Sequence, residues 1–263
     1  MYTKNAWLQF QTFSASKLNI VTQVIIILRL DALFDFFNPE GNLMKNSLLL
    51  ACSLTLITSS SLLMAAGGQS AGKEKAATCV GCHGEDGNSL VSSFPKLAGQ
   101  HSSYLVKQLQ AFKSGSRKDP MMSSIAASLS DQDMHDIADF YAANKIQPNN
   151  LPEIDKDADV SEQTQAKEAM EKLLAEGRNL YRNGNLSTQV SACIACHGPF
   201  GDGNKPASFP VLKAQHADYL VKTLTDFKTS QRSNNPDNMM HMIALKMSDQ
   251  EIKAVATYLS QQK

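Results

Sequence analysis

Beyond about residue 100, apolar residues recur at the three- and four-residue spacing of helix faces, and the strict alternation of half-buried strands is missing. Met134, Ile137, Ala138 and Tyr141 form one such stripe, and Ile252, Val255, Ala256 and Leu259 form another. Each follows a start signal, Ser130 with Asp133 three residues on and Ser248 with Glu251 three residues on, the arrangement of a capping box. Ala166, Met170, Leu173, Leu174, Gly177, Leu180 and Tyr181 predict one face of a longer helix. Leu105, Leu109 and Phe112, and again Leu220, Leu224 and Phe227, predict shorter ones. The pattern is that of an all-α fold.

The stripes come in pairs because the chain is duplicated. Phe94-Pro95-Lys96-Leu97 returns as Phe209-Pro210-Val211-Leu212, and Gln100-His101 as Gln215-His216. Tyr104-Leu105-Val106-Lys107 returns unchanged as Tyr219-Leu220-Val221-Lys222, Arg117 as Arg232, and Met121-Met122 as Met239-Met240. The offset drifts only from 114 to 118 residues, so short loop insertions separate two homologous domains, expected over 69–147 and 163–263. Pro148, Asn149, Asn150, Pro152 and the acidic residues after them mark 148–162 as a linker, expected to be extended and solvated.

The N-terminal region reads differently. Met44-Lys45-Asn46, an apolar run from Ser47 to Met64 and the small residues that follow predict a signal peptide over 44–68, cleaved between Ala65 and Ala71. Translation is then expected to start at Met44, with 1–43 an upstream extension produced by the gene model. An uncleaved membrane anchor built from Ser47–Met64 is the alternative. Export places the protein in the periplasm and removes Cys52, leaving four cysteines. The 25 basic and 25 acidic residues cancel, so no charge excess points to nucleic acid or an anionic membrane.

Those four cysteines carry the chemistry. Cys79-Val-Gly-Cys82-His83 and Cys193-Ile-Ala-Cys196-His197 are two copies of the attachment motif of a c-type haem. The spacing places two sulfurs for thioether bonds along one haem edge, and the adjoining histidine beneath the ring as an iron ligand. A dithiol redox centre would require a βαβ setting, and a zinc site would not explain a histidine directly after the second cysteine in both copies. A porphyrin also supplies apolar bulk to small domains in a chain only 7% aromatic.

The sixth iron ligand decides between electron transfer and ligand-binding or oxygen chemistry. Candidates should recur after each motif and before each terminal helix, which selects Met121 or Met122 and Met239 or Met240; seven residues back from the Leu129-Ser130 and Met247-Ser248 junctions stand Met122 and Met240. His101 and His216 also recur, but are expected on the first turn of the helices that follow them. Pro95 and Pro210, 12 and 13 residues past His83 and His197, offer carbonyls to the second ring nitrogen of those histidines; the alternative is a plain turn proline.

Residues 70–263 resemble the cytochrome c4 family, dihaem proteins of two fused class I cytochrome c domains. The resemblance is carried by both haem motifs, Phe94-Pro95-Lys96-Leu97-Ala98-Gly99-Gln100 with its second copy, Lys107-Gln108-Leu109, and Leu129-Ser130-Asp131-Gln132-Asp133. The second copy departs from the family pattern at Val211-Leu212-Lys213-Ala214 and at Met247. The resemblance implies two covalent haem c groups, axial methionines at Met122 and Met240, and a periplasmic, often membrane-associated carrier. Its redox partners would be a quinol-oxidising complex or other donor and a terminal oxidase as acceptor. Competing expectations are the dihaem subunit of a redox enzyme such as a flavocytochrome sulfide dehydrogenase, a dihaem peroxidase, and a zinc-stabilised interaction module.

Overall fold

The computed structural model describes residues 70–263, so the expected extension 1–43 and signal peptide 44–68 lie outside the described residues. Among the described residues the chain is helical, with no strand and only isolated bridges. Residues 70–75 are helical and lead through the 3-10 turn Ala76–Thr78 into α1 (Val80–His83). The first half continues with α2 (Ser102–Lys113), α3 (Pro120–Ala127) and α4 (Asp131–Ala143). The second half comprises α5 (Val160–Asn183), α6 (Ile194–His197), α7 (Ala217–Lys228), α8 (Met239–Ala244) and α9 (Asp249–Ser260), with the 3-10 turn Pro236–Asn238 before α8.

Local chemistry sets the helix starts. The Ser130 hydroxyl accepts from Asp133 N at 3.1 Å while the Asp133 carboxylate accepts from Ser130 N at 3.0 Å, and Ser248 with Glu251 repeats this at 3.2 and 2.7 Å. α3 begins with Asp119 as cap and Pro120 as its first residue, where a fixed φ costs nothing. His101 and His216 are N-cap residues of α2 and α7 rather than members of the first turn, because both hold extended backbone there.

Each half packs its N-terminal helix across its terminal helix through a glycine. A Cβ at Gly72 would lie 2.2 Å from Asp136 O, and one at Gly177 2.0 Å from Ala254 O. The stripes of α4 and α9 supply the cores, with Met134, Tyr141, Ile252 and Val255 almost fully buried. α5 differs from its sequence pattern. Only Gly177, Leu180 and Tyr181 are buried, Ala166 is exposed, and Met170, Leu173 and Leu174 are half-buried, because the first turns of α5 extend past the domain they would pack on. α5 also starts at Val160, capped by Asp159, inside the segment expected as linker.

The linker is not solvated throughout. Lys96 Nζ donates to Gln147 O at 2.7 Å and to Asn149 Oδ1 at 2.6 Å. Asn149 Nδ2 in turn reaches Ala214 O, Gln215 O and Ser260 O at 2.9, 3.2 and 3.0 Å, pinning the start of the linker to the second half.

The two halves meet in a reciprocal seam. Gln100 brackets the backbone of Val211, donating to its carbonyl and accepting from its N–H, both at 2.9 Å, and Gln215 does the same to Lys96 at the same distances. Arg117 and Arg232 pair by an antiparallel bridge. Their guanidinium groups cross over, Arg117 donating to Tyr219 Oη and Arg232 to Tyr104 Oη, each at 3.0 Å, while stacking over Phe112 and Phe227. Both also donate to Gln108 Oε1, at 3.0 and 2.9 Å. Two cations thus share one neutral acceptor, so their like charges repel across a partly desolvated seam. Among the described residues no carboxylate makes an ion pair with either.

Candidate haem sites

In the first half the 3-10 turn and α1 place Cys79, Cys82 and His83 on one tight coil, with His83 N bonded to Cys79 O at 2.9 Å. Gly84 ends it at φ 83°, a value that favours glycine. α6 repeats the arrangement, with His197 N on Cys193 O at 3.0 Å and Gly198 at φ 77°. All four cysteines are of intermediate exposure, and no disulfide joins either pair. Burial pushes Cys79 up and Cys193 up to about 11, so both keep their protons at neutral pH. An activated redox dithiol needs the opposite shift.

The histidines are oriented for a metal. His83 Nδ1 lies 2.8 Å from Pro95 O and His197 Nδ1 3.1 Å from Pro210 O. A carbonyl only accepts, so Nδ1 carries the proton and the lone pair of each ring is on Nε2. Both rings are buried, at 6% and 8% exposure, and packed against Phe94 and Phe209. Burial lowers their basicity, against a smaller raising effect of the proline carbonyls, which favours the neutral, ligating form. Among the described residues no three of His, Cys, Asp and Glu converge as metal ligands, as zinc would need. One buried imidazole beside two cysteines suits a macrocycle that brings its own nitrogens.

The methionine pairs divide by exposure. Met121 and Met239 are 53% and 36% exposed, whereas Met122 and Met240 are half-buried. Met122 N donates to Asp119 Oδ1 at 3.0 Å, and Met240 N to Asn235 Oδ1 at 2.8 Å, so a side-chain oxygen fixes the inward member in each half. The second loop is three residues longer and turns through Asp237 and Asn238, both left-handed at φ 50° and 53°. His216 is committed elsewhere, its Nε2 lying 2.9 Å from Ser89 O across the seam.

The cytochrome c family model matches residues 69–144 and 174–263. Cytochrome c4 of Azotobacter vinelandii is 40% identical over 208 residues, covering 75% of this chain and 90% of the relative. The chain belongs to the cytochrome c4 family. It also matches the crystal structure of reduced recombinant cytochrome c4 from Pseudomonas stutzeri, with a TM-score of 0.65 and 38% identity over 74% of this chain and 98% of that one. A thiosulfate dehydrogenase electron acceptor of Stutzerimonas stutzeri is 38% identical over 186 residues, 70% of this chain and 79% of its own. As a member of the cytochrome c4 family, the chain is a dihaem electron-transfer protein of tandem cytochrome c domains, with haem c attached at Cys79 and Cys82 and at Cys193 and Cys196.

Several residues of the seam belong to neither haem motif. Gln100, Gln215, Tyr104, Tyr219, Arg117 and Arg232 all stood out as retained in both copies, and that retention was their signal. Asp119 and Asn235, which hold the methionine segments, carried none, because the two loops differ in length and sequence.

Proposed function

We propose that His83 with Met122, and His197 with Met240, are the axial ligands of the two haem irons, and that the protein carries electrons without catalysing a reaction of its own. One observation carries this reading: in both halves a buried histidine with Nδ1 engaged is accompanied by a half-buried methionine whose backbone N–H is held by a side-chain oxygen. Bound there, haem supplies one-electron chemistry, and methionine ligation favours transfer at raised potential over oxygen chemistry. The chain's part is to hold the ligands so that the iron environment changes little between oxidation states. Pro95 and Pro210 fix the tautomer and ring orientation of the histidines.

The same reading places the mature protein in the periplasm, exported by the signal at 44–68, passing electrons from a quinol-oxidising complex or other donor toward a terminal oxidase. Among the described residues no helix is long and apolar enough to cross a membrane. N-terminal sequencing of the exported protein tests the signal, with a new terminus between Ala65 and Ala71 expected. A redox titration followed by absorption and magnetic dichroism tests the ligands. Two low-spin haems, each with a methionine-to-iron charge-transfer band, are expected; a high-spin haem that reacts with peroxide would overturn the carrier reading.

Likeness to thiosulfate dehydrogenase electron acceptors supports a second reading of the donor, in which a dehydrogenase reduces this protein directly. Rapid reduction of the first or second haem by such an enzyme and its substrate, with none by quinol-oxidising membranes, would favour it.

A further inference from the structure

At one buried position in the core clusters beside their haem motifs the halves differ in polarity. Tyr141 closes the stripe of α4 where Leu259 closes that of α9. Each belongs to the core cluster against which the first cysteine of its half packs, Cys79 for Tyr141 and Cys193 for Leu259. A phenol hydroxyl in the first half therefore replaces the methyl groups of the second, at the cysteine end of the pocket.

Among the described residues that hydroxyl has no partner. Tyr141 is 0% exposed, and its Oη is buried without a hydrogen bond, whereas the other fully buried tyrosine, Tyr181, donates to Gly198 O at 2.5 Å. Tyr141 is also held in place. Its carbonyl accepts from Gly99 N at 3.0 Å and from Asn144 N at 3.2 Å, and its ring lies so close over Gly87 that a Cβ there would be 2.6 Å from Cδ1. It cannot swing to water, and burial keeps its proton on, so it is a donor without an acceptor among the described residues.

We propose that the Tyr141 hydroxyl is aimed at the first haem and tunes it, donating to the electron-rich periphery of the group attached at Cys79. The inference rests on the haem-carrier reading above. Ferrous haem carries one positive charge less than ferric, so the positive end of an O–H dipole favours the reduced form. Tyr141 is thus a positioning and tuning residue that raises the potential of the first haem, and the second half lacks it.

Tyr141→Phe keeps the ring and removes one atom that bonds to nothing in the fold, so haem content should be unchanged. The potential of each haem is read from its paramagnetically shifted methyl resonances, assigned by contacts to Phe94 in the first half and Phe209 in the second. The first haem should favour the ferrous state about three- to tenfold less, roughly 30–60 mV at 59 mV per tenfold, with the second unmoved. Leu259→Tyr should shift the second haem upward. Unchanged potentials in Tyr141→Phe, with two haems and both charge-transfer bands intact, would overturn the tuning role and leave the carrier reading standing. A wild type lacking two methionine-ligated haems would instead overturn both.

Discussion

Gln108 is the residue on which the seam depends most. Its side-chain oxygen accepts from Arg117 at 3.0 Å, from Arg232 at 2.9 Å and from Asn234 at 2.9 Å, and the side chain is 7% exposed. Gln108→Leu keeps the volume and removes the shared acceptor. Two of the lost bonds have charged donors, worth about 1.5–3 kcal/mol each, and the third is neutral at about 1 kcal/mol. Burial of the leucine returns about 1–2 kcal/mol. The net loss is about 2–6 kcal/mol, a large part of the ~5–15 kcal/mol of a typical domain. Arg232 and Asn234 come from the other half, so the loss falls on coupling between halves. Guanidinium unfolding of the haem-loaded protein, followed by far-ultraviolet dichroism and by the Soret band, should give one transition in the wild type. In Gln108→Leu the midpoint should fall and the two probes should separate. Gln108→Glu places a carboxylate between the two cations and should raise the midpoint above wild type. If Gln108→Leu matches wild type in midpoint and slope, or Gln108→Glu is the less stable of the two, the guanidinium charges are already neutralised by other groups and the reasoning fails.

At the α5–α9 crossing, Gly177→Ala puts a methyl 2.0 Å from Ala254 O, so the helices must part by more than about 1 Å; a loss at or above the ~1–3 kcal/mol of overpacking is expected, net of about 1 kcal/mol gained in helix propensity, and an unchanged melting temperature would contradict it. Met122→Ala and Met240→Ala should each abolish one of two charge-transfer bands, whereas Met121→Ala and Met239→Ala should leave both. Burial pushes the Tyr219 phenol up, but Arg117 and Arg232 beside it outweigh this and bring it down to about 8, against about 10 when unfolded. A depressed acid stabilises fully above the unfolded value and less as pH falls through the folded one. The stability of wild type relative to Tyr219→Phe should therefore rise between pH 8 and 10, and ¹³C-labelled tyrosine resonances should show one ionisation near 8 that the variant lacks.

The elements that were legible before any fold was known are those whose causes are local. Ser130 and Asp133 close their capping box within four residues, and the stripe from Met134 to Tyr141 faces the core by helix geometry alone. Cys79, Cys82 and His83 need only one short coil, and even the Pro95 carbonyl lies 12 residues from its histidine. The seam is different in kind. When Tyr104 and Arg117 recur as Tyr219 and Arg232, sequence cannot distinguish a bond within each copy from a bond exchanged between copies, because both leave the same two residues repeated. Only geometry breaks that degeneracy, and it does so in favour of exchange, Arg117 with Tyr219 and Arg232 with Tyr104. Gln108 shows how far the exchange goes. Its counterpart by the repeat is Thr223, too short to serve as a second shared acceptor, so one glutamine serves both arginines. The duplication has therefore ceased to be two independent domains. Each half retains a tyrosine hydroxyl that accepts from the other's arginine, and the seam between the two haem-bearing halves is fixed by bonds that neither half could make alone.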